Sequence, residues 1–332
     1  MTSSADPALF AAAERLAGEP VQELASCTGG GNNRVFRLVT ATRTYALKAY
    51  RRSENDPRDR LGAEFSGLRY AWTVAPGRVP EPVAADASAG IALYEFVEGE
   101  RVSEHAAAEI DEVLAFLAAL HAGRGAPGTQ TLPEASEAGL KPDDIREQID
   151  RRLDLLDAVA EEPGLHAFLA QRFRPAYVRH APALAGVAPV EPRHRTLSPS
   201  DFGFHNALRR RGKLVFLDFE YFGWDDPAKL VCDFLWHPGM RLSESERSQF
   251  LAGAADVFKE GTPLLSRLHA FEPLIALRWA TIILGEFLPE VRERRRYAAG
   301  GDLERDALRA QLAKANAILD RLETQTADRT PP

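Results

Sequence analysis

The period of the apolar residues changes along this chain, and that change limits the folds open to it. Residues 20–50 alternate with period two, so VQELASC, RVFRLVT and RTYALKAY read as three short strands. Ahead of them, Asp6-Pro7 followed by ALFAAAERLAG reads as a capped opening helix. Residues 58–74 have a helical period, and 83–86 and 91–97 read as two further strands. From about residue 103 the chain is mostly helical. EIDEVLAFLAALHAG ends a helix at Gly123, and further helices are predicted over 142–160 and 163–182. One hairpin interrupts them, turning near Arg211-Gly212, and helices resume from 244. The last residues, 324–332, read as a disordered tail. Strands first and helices afterwards give an α+β chain of two lobes. A small β-rich N-lobe covers 1–98 with one paired helix, and a larger, mainly helical C-lobe covers 99–323.

Composition narrows the class. The apolar fraction of 45% and the charged fraction of 27% allow a full buried core. Two cysteines, Cys27 and Cys232, are far apart in no metal-like spacing, so neither a structural zinc nor a disulfide framework is expected. No apolar run approaches the ~20 residues of a membrane span, and the N-terminus does not read as a signal peptide. A cytoplasmic protein without membrane or nucleic-acid partners is therefore expected, as a monomer or homodimer. The net charge of −7 agrees, because nucleic-acid binding wants a basic face.

The run LSPSDFGFHNAL carries Asp201 and Asn206 five residues apart, and the strand KLVFLDFE follows with Asp218 near its end. One carboxylate, one amide and a further carboxylate after a short turn suit phosphoryl transfer from a nucleotide. Asp201 would orient the accepting hydroxyl. Asn206 and Asp218 would hold Mg²⁺ through hard oxygen ligands. The competing reading is two loop residues and a capping aspartate. The upstream residues weigh against it. TGGGNNR places Gly29, Gly30 and Gly31 between two strands, where backbone N–H groups can approach an anion, and Asn32 and Asn33 add side-chain donors. Taken alone, this segment is equally a glycine-rich hairpin turn. Lys48 lies on one strand face with Ala46 and Tyr50. Glu64 lies in or beside the apolar stripe Leu61, Phe65, Leu68 and Trp72 of its helix, where a carboxylate needs a partner. Lys48 is that partner, aimed at the nucleotide phosphates. For each residue alone the competing reading is a side chain reaching water. The strand 91–97 leads to a hinge whose backbone, around Glu95 and Val97, would meet an adenine edge; an ordinary core strand is the alternative. His205, beside Asn206, reads as a packing residue.

These motifs in this order resemble the aminoglycoside phosphotransferase and choline kinase-like family of small-molecule kinases. GGGNNRVFRL resembles its nucleotide-positioning loop, ALKAY its lysine strand, SPSDFGFHNAL its catalytic loop, and FLDFEYFGWDDPAKLVCDF its metal-ligand stretch. The resemblance spans roughly residues 20–300. It implies a protein-kinase-like fold, ATP or GTP as donor, Mg²⁺, and a hydroxyl of an amino sugar, sugar or amino alcohol as acceptor. It implies Asp201 as the catalytic residue, Asn206 and Asp218 as the metal ligands, and structural roles for Asp226 and Asp233. The departure is Pro199, which stands between Ser198 and Ser200 where the family usually has histidine. It motivates an alternative, a non-catalytic nucleotide-binding protein on the same fold. Protein phosphorylation fits less well, because the strand reads DFE where protein kinases have DFG, and no APE segment follows. The acceptor cleft is expected between the catalytic loop and the C-terminal helices, with Glu220 among its candidates.

Overall fold

A computed structural model describes residues 7–27, 33–51, 58–159, 163–259, 264–293 and 305–329. By internal contacts these residues form two units. The first holds the described residues up to Ser136 together with Leu197–Gly223. The second holds Glu137–Thr196, Trp224–Glu293 and the last helix. The sheet-rich N-terminal region and helical C-terminal region are those expected from the change of period.

In the first unit, helix α1 (Pro7–Ala17) precedes strands β1 (Glu23–Cys27), β2 (Arg34–Val39) and β3 (Thr44–Ala49). Helix α2 (Arg60–Val74) comes next, then β4 (Pro82–Asp86) and β5 (Ile91–Glu95). The strands form one antiparallel sheet in the order β1-β2-β3-β5-β4. Strand alternation sends Tyr45 and Leu47 into a core with Phe36, Leu38, Ile91 and Leu93, closed by Ala12 and Ala13 of α1. Lys48, paired with Val35 and Ala92 across the sheet, points away from that core.

Helix α2 starts at Asp59, whose side chain accepts from the Gly62 amide at 2.9 Å. Its buried residues are not the apolar stripe read from the sequence. They include Arg60, Glu64, Gly67, Leu68 and Ala71, while Leu61, Phe65 and Trp72 are only partly covered. Charged residues can face inward here because partners from distant segments meet them. Gly67 marks the closest approach: a Cβ there would lie 2.4 Å from the Phe222 ring. Any side chain at 67 would push that segment away.

Strand β6 (Glu100–Arg101) and helix α3 (Ala107–Gly123) follow, and the short strand β7 (Thr196–Ser198) leads to the catalytic-loop sequence. Strands β8 (Ala207–Arg210) and β9 (Lys213–Phe216) form the expected hairpin, with β6 alongside β8. Its two turn residues, Arg211 and Gly212, both have positive φ, 51° and 74°. That is the turn whose twist matches antiparallel strands. Phe116 of α3 stacks on Phe216 of β9, with ring centres 4.6 Å apart, and on Phe202, 5.7 Å away. Phe202 directly follows Asp201, so the aromatic cluster anchors the segment that presents the carboxylate. Strand β10 (Gly223–Asp225) ends this stretch.

The second unit is built from α4 (Pro142–Asp157), α5 (Pro163–Phe168), α6 (Arg174–His180), α7 (Pro227–Trp236), α8 (Glu244–Val257), α9 (Leu264–Leu284) and α10 (Arg305–Arg329). Helix α9 and the turn after it, Leu264–Phe287, are long and apolar enough to cross a membrane, but 78% of that window is buried inside the protein. It forms the core of the unit, packed against α4, α7 and α10. Three differences from the sequence reading stand out. The predicted helix 163–182 is interrupted at Leu169–Phe173 by a wider turn, in which the Arg174 amide bonds back to Leu169. Pro175, just beyond, has no N–H to continue the regular ladder and would crowd the preceding turn. Helix α7 forms ahead of the expected restart at 244, with Asp226 capping it and Pro227 in its first turn. Helix α10 continues to Arg329, six residues into the predicted tail.

Candidate active site

The site assembles on the first unit from β3, α2 and the segment 198–221. Lys48 Nζ donates to Glu64 Oε2 at 2.6 Å and to Asp218 Oδ1 at 2.7 Å. The expected Glu64 partner is present, Asp218 is a second one that was not expected, and the solvent-reaching readings of Lys48 and Glu64 fall away. Burial works against the Lys48 charge. Asp218 and Glu64 outweigh it and hold the lysine well above its ordinary pKa, so it stays cationic. Burial also pushes the Glu64 carboxyl up, to about 7, against the pull of Lys48. Tyr50, two residues along β3, donates to the same Glu64 oxygen at 2.7 Å and meets the Tyr94 hydroxyl at 2.7 Å. Burial keeps that phenol neutral, as a donor. Placing Tyr50 on the Lys48 face is within reach of sequence reasoning. Its bond to Glu64 is not, because the α2 register depends on tertiary packing.

The loop before β8 presents Asp201 through a tight sequence of turns. Ser200 adopts φ of +70°, and the Asp201 amide donates to the Pro199 carbonyl at 3.0 Å. The Ser198 hydroxyl accepts from the Ser200 amide at 3.0 Å. Pro199 and its two serines thus shape the loop where the resembled family uses histidine. A left-handed non-glycine residue beside a carboxylate is a strained feature of the kind found at functional sites. Asp218 also has a left-handed backbone, with φ of +63°. The Asn206 side-chain amide donates to the Asp201 carbonyl at 2.9 Å, which leaves its oxygen as the acceptor face. The Leu217 amide donates to the Asn206 carbonyl at 2.8 Å, so Asn206 is tied beside the strand end that carries Asp218. An amide oxygen and a carboxylate, the latter with a side chain 37% exposed, make a donor set suited to a hard divalent cation. His205 does more than pack: its Nε2 lies 3.0 Å from Asp201 Oδ1. Residues 201–203 are loop and not helix, so the spacing alone gave no signal for that contact.

Three residues sit differently from the sequence reading. Asn33 is 4% exposed and both ends of its side chain are engaged. Its Nδ2 donates to Glu220 Oε2 at 2.5 Å, and its Oδ1 accepts from the Arg51 amide at 3.3 Å. It is placed as a tie between Glu220 and the Arg51 backbone. Glu220 is 1% exposed, and its other oxygen accepts from Arg60 Nη1 at 2.6 Å, so it does not line an acceptor cleft. Glu95 directs its side chain to Arg210 at 2.5 Å, and its amide donates to the Glu81 carbonyl at 2.8 Å. Val97 lies two residues past the end of β5. Gly29, Gly30, Gly31 and Asn32 fall outside the described residues.

In the second unit, the Asp226 carboxylate caps α7 and accepts from Arg267 Nε at 2.9 Å. Asp233 pairs with Lys229 at 2.8 Å and Arg278 at 3.1 Å. Both therefore serve as the structural residues expected.

Comparison with known proteins places this arrangement. The model of the phosphotransferase enzyme family matches residues 23–264, and the chain belongs to that family. Its fold is that of the protein-kinase-like small-molecule kinases. A thermostable mutant of aminoglycoside phosphotransferase APH(4)-Ia, in a ternary complex with ADP and hygromycin B, is similar at 18% identity. The match covers 96% of this chain and 98% of that one, with a TM-score of 0.58. Spectinomycin phosphotransferase APH(9)-Ia, in complex with ADP and spectinomycin, is similar at 13% identity, covering 94% and 97%, with a TM-score of 0.62. A choline/ethanolamine kinase family protein from Mesorhizobium loti is similar at 18% identity, covering 94% of both chains, with a TM-score of 0.57. No curated protein sequence matches the chain.

Proposed function

We propose that this small-molecule phosphotransferase transfers the terminal phosphoryl group of ATP, with Mg²⁺, to a hydroxyl of a small molecule. The observation that carries the reading is Lys48 Nζ held at 2.6 Å from Glu64 and 2.7 Å from Asp218. That geometry suits a lysine kept ready for phosphate oxygens beside a metal-binding carboxylate. Bound Mg²⁺ would offset phosphate charge as the bond to the leaving oxygen breaks. Asn206 and Asp218 would hold it, and Lys48 would contact the phosphates once Asp218 turns to the cation. Asp201 would accept a hydrogen bond from the acceptor hydroxyl and take its proton as the oxygen attacks, with His205 steadying the carboxylate. The hinge beyond β5 would receive the adenine through backbone groups near Glu95 and Val97, at the lobe boundary drawn after residue 98.

An amino sugar, sugar or amino alcohol in a cytoplasmic setting is the acceptor class in this reading, supported by what the structural relatives bind. A panel of such alcohols with Mg·ATP, read as ADP release and as phosphorylated product, tests it directly. Product with one class and not with buffer alone supports the reading. Tight ATP binding with no turnover on the whole panel instead supports the non-catalytic alternative raised by Pro199. GTP in a parallel arm settles the donor.

A further inference from the structure

Glu220 stands two residues after Asp218, within a carboxylate cluster. One oxygen each from Glu64, Asp218 and Glu220 lie within 4.8 Å of one another, a grouping that could hold a metal ion. The hydrogen bonds argue for a different role. Both Glu220 oxygens are already engaged, Oε1 by Arg60 at 2.6 Å and Oε2 by Asn33 at 2.5 Å. The Arg60 side chain also reaches the Tyr221 hydroxyl at 2.9 Å, and its guanidinium lies 5.2 Å from the centre of that ring. Arg60 and Glu220 are 5% and 1% exposed, so neither charge is exchangeable with water at low cost.

The three ties share a geometry. Arg60 is one turn before Glu64 on α2, so that face of the helix is held at two rungs: Glu64 by Lys48 and Arg60 by Glu220. Asn33 is the first described residue after the glycine-rich segment, and it opens onto β2. Its other amide end accepts from Arg51, just beyond β3. A single buried carboxylate therefore links the start of β2, the α2 helix and the segment after β9 that carries Asp218.

We infer that Glu220 is a positioning residue for nucleotide binding: through Asn33 and Arg60 it registers the start of β2 and α2 against Asp218, and it is not a metal ligand. The inference rests on the proposed nucleotide site but not on turnover, so it is tested by binding. ATP titrations by calorimetry, with excess Mg²⁺ and with chelator, compare wild type with Glu220→Ala, Asn33→Ala and the double variant. Each single change is expected to weaken ATP about 10-fold, by a similar factor with and without Mg²⁺. The double variant is expected to be no weaker than the worse single one, because one contact is lost once. Weakening confined to the Mg²⁺ arm would make Glu220 a metal ligand and overturn the inference. So would additive losses in the double variant. If Glu220→Ala does not fold, Asn33→Ala still decides it, because an unchanged ATP affinity in that variant would overturn the inference. Wild type that binds ATP without phosphorylating any acceptor would defeat the proposed function and leave this inference standing.

Discussion

Each unit holds a lysine between two carboxylates, and the two arrangements behave differently. In the second unit Lys229 donates to Asp225 at 2.9 Å and to Asp233 at 2.8 Å, with side chains 0%, 0% and 4% exposed. Arg278 adds bonds to Asp233 at 3.1 Å and to Gln148 at 2.6 Å, and Asp225 accepts from the Gly139 amide at 2.8 Å. Every charge is sealed and matched. In the first unit Lys48 is 10% exposed, but its partner Asp218 is 37% exposed. One side of that triad is open. The same residue types make a sealed cluster where water is excluded, and a contact open to solvent where one partner is exposed, as the proposed site requires.

Four changes test that contrast, from the largest expected effect to the smallest. Asp201→Ala removes the group proposed to receive the acceptor proton, and turnover should fall about 10²–10⁴-fold with the melting curve unchanged. Full retention of turnover would remove Asp201 from the mechanism. Lys229→Met leaves Asp225 and Asp233 buried without their lysine, and chemical denaturation should show a loss of about 3–5 kcal/mol. A loss below about 1 kcal/mol would mean that the sealed triad is not a strut. Lys48→Met is the matching change at the open triad. It should raise the ATP dissociation constant about 10- to 100-fold, for the lost charged contact to phosphate, while costing far less stability than Lys229→Met. Equal destabilisation by the two would erase the distinction. Tyr50→Phe removes one of the two donors on Glu64 Oε2 and should weaken ATP only severalfold, because Tyr50 supports Glu64 and Lys48 still holds that carboxylate. An effect as large as that of Lys48→Met would promote Tyr50 from support to direct contact.

Much of the first unit was readable before any coordinates. Alternation located β1, β2, β3 and β5, and chain order put Lys48, Glu64, Asp201, Asn206 and Asp218 in one site. What escaped were the ties that hold them. Glu220 was a candidate for the acceptor cleft because it follows closely on the motif residues in the chain. Its partners Asn33 and Arg60 lie 187 and 160 residues away in sequence, beyond any local pattern. The α2 stripe was only partly right for the same reason: Leu68 is buried, but Arg60 and Glu64 face inward with it because Glu220 and Lys48 from distant segments meet them. The bond from His205 to Asp201 spans only four residues, yet it depends on the left-handed turn at Ser200, which Pro199 and Ser198 help to set.

The sequence by itself determined the order of strands and helices, the pairing chemistry of the motif residues and the class of reaction they suit. Those follow from periodicity and from which side chains can carry charge, donate or ligate. Only the tertiary structure decided which lysine is sealed and which is open, and which acid is exposed and which is buried among its partners. Exposure and hydrogen-bond partners are properties of the packed chain, fixed when segments far apart in sequence exclude water from the same volume.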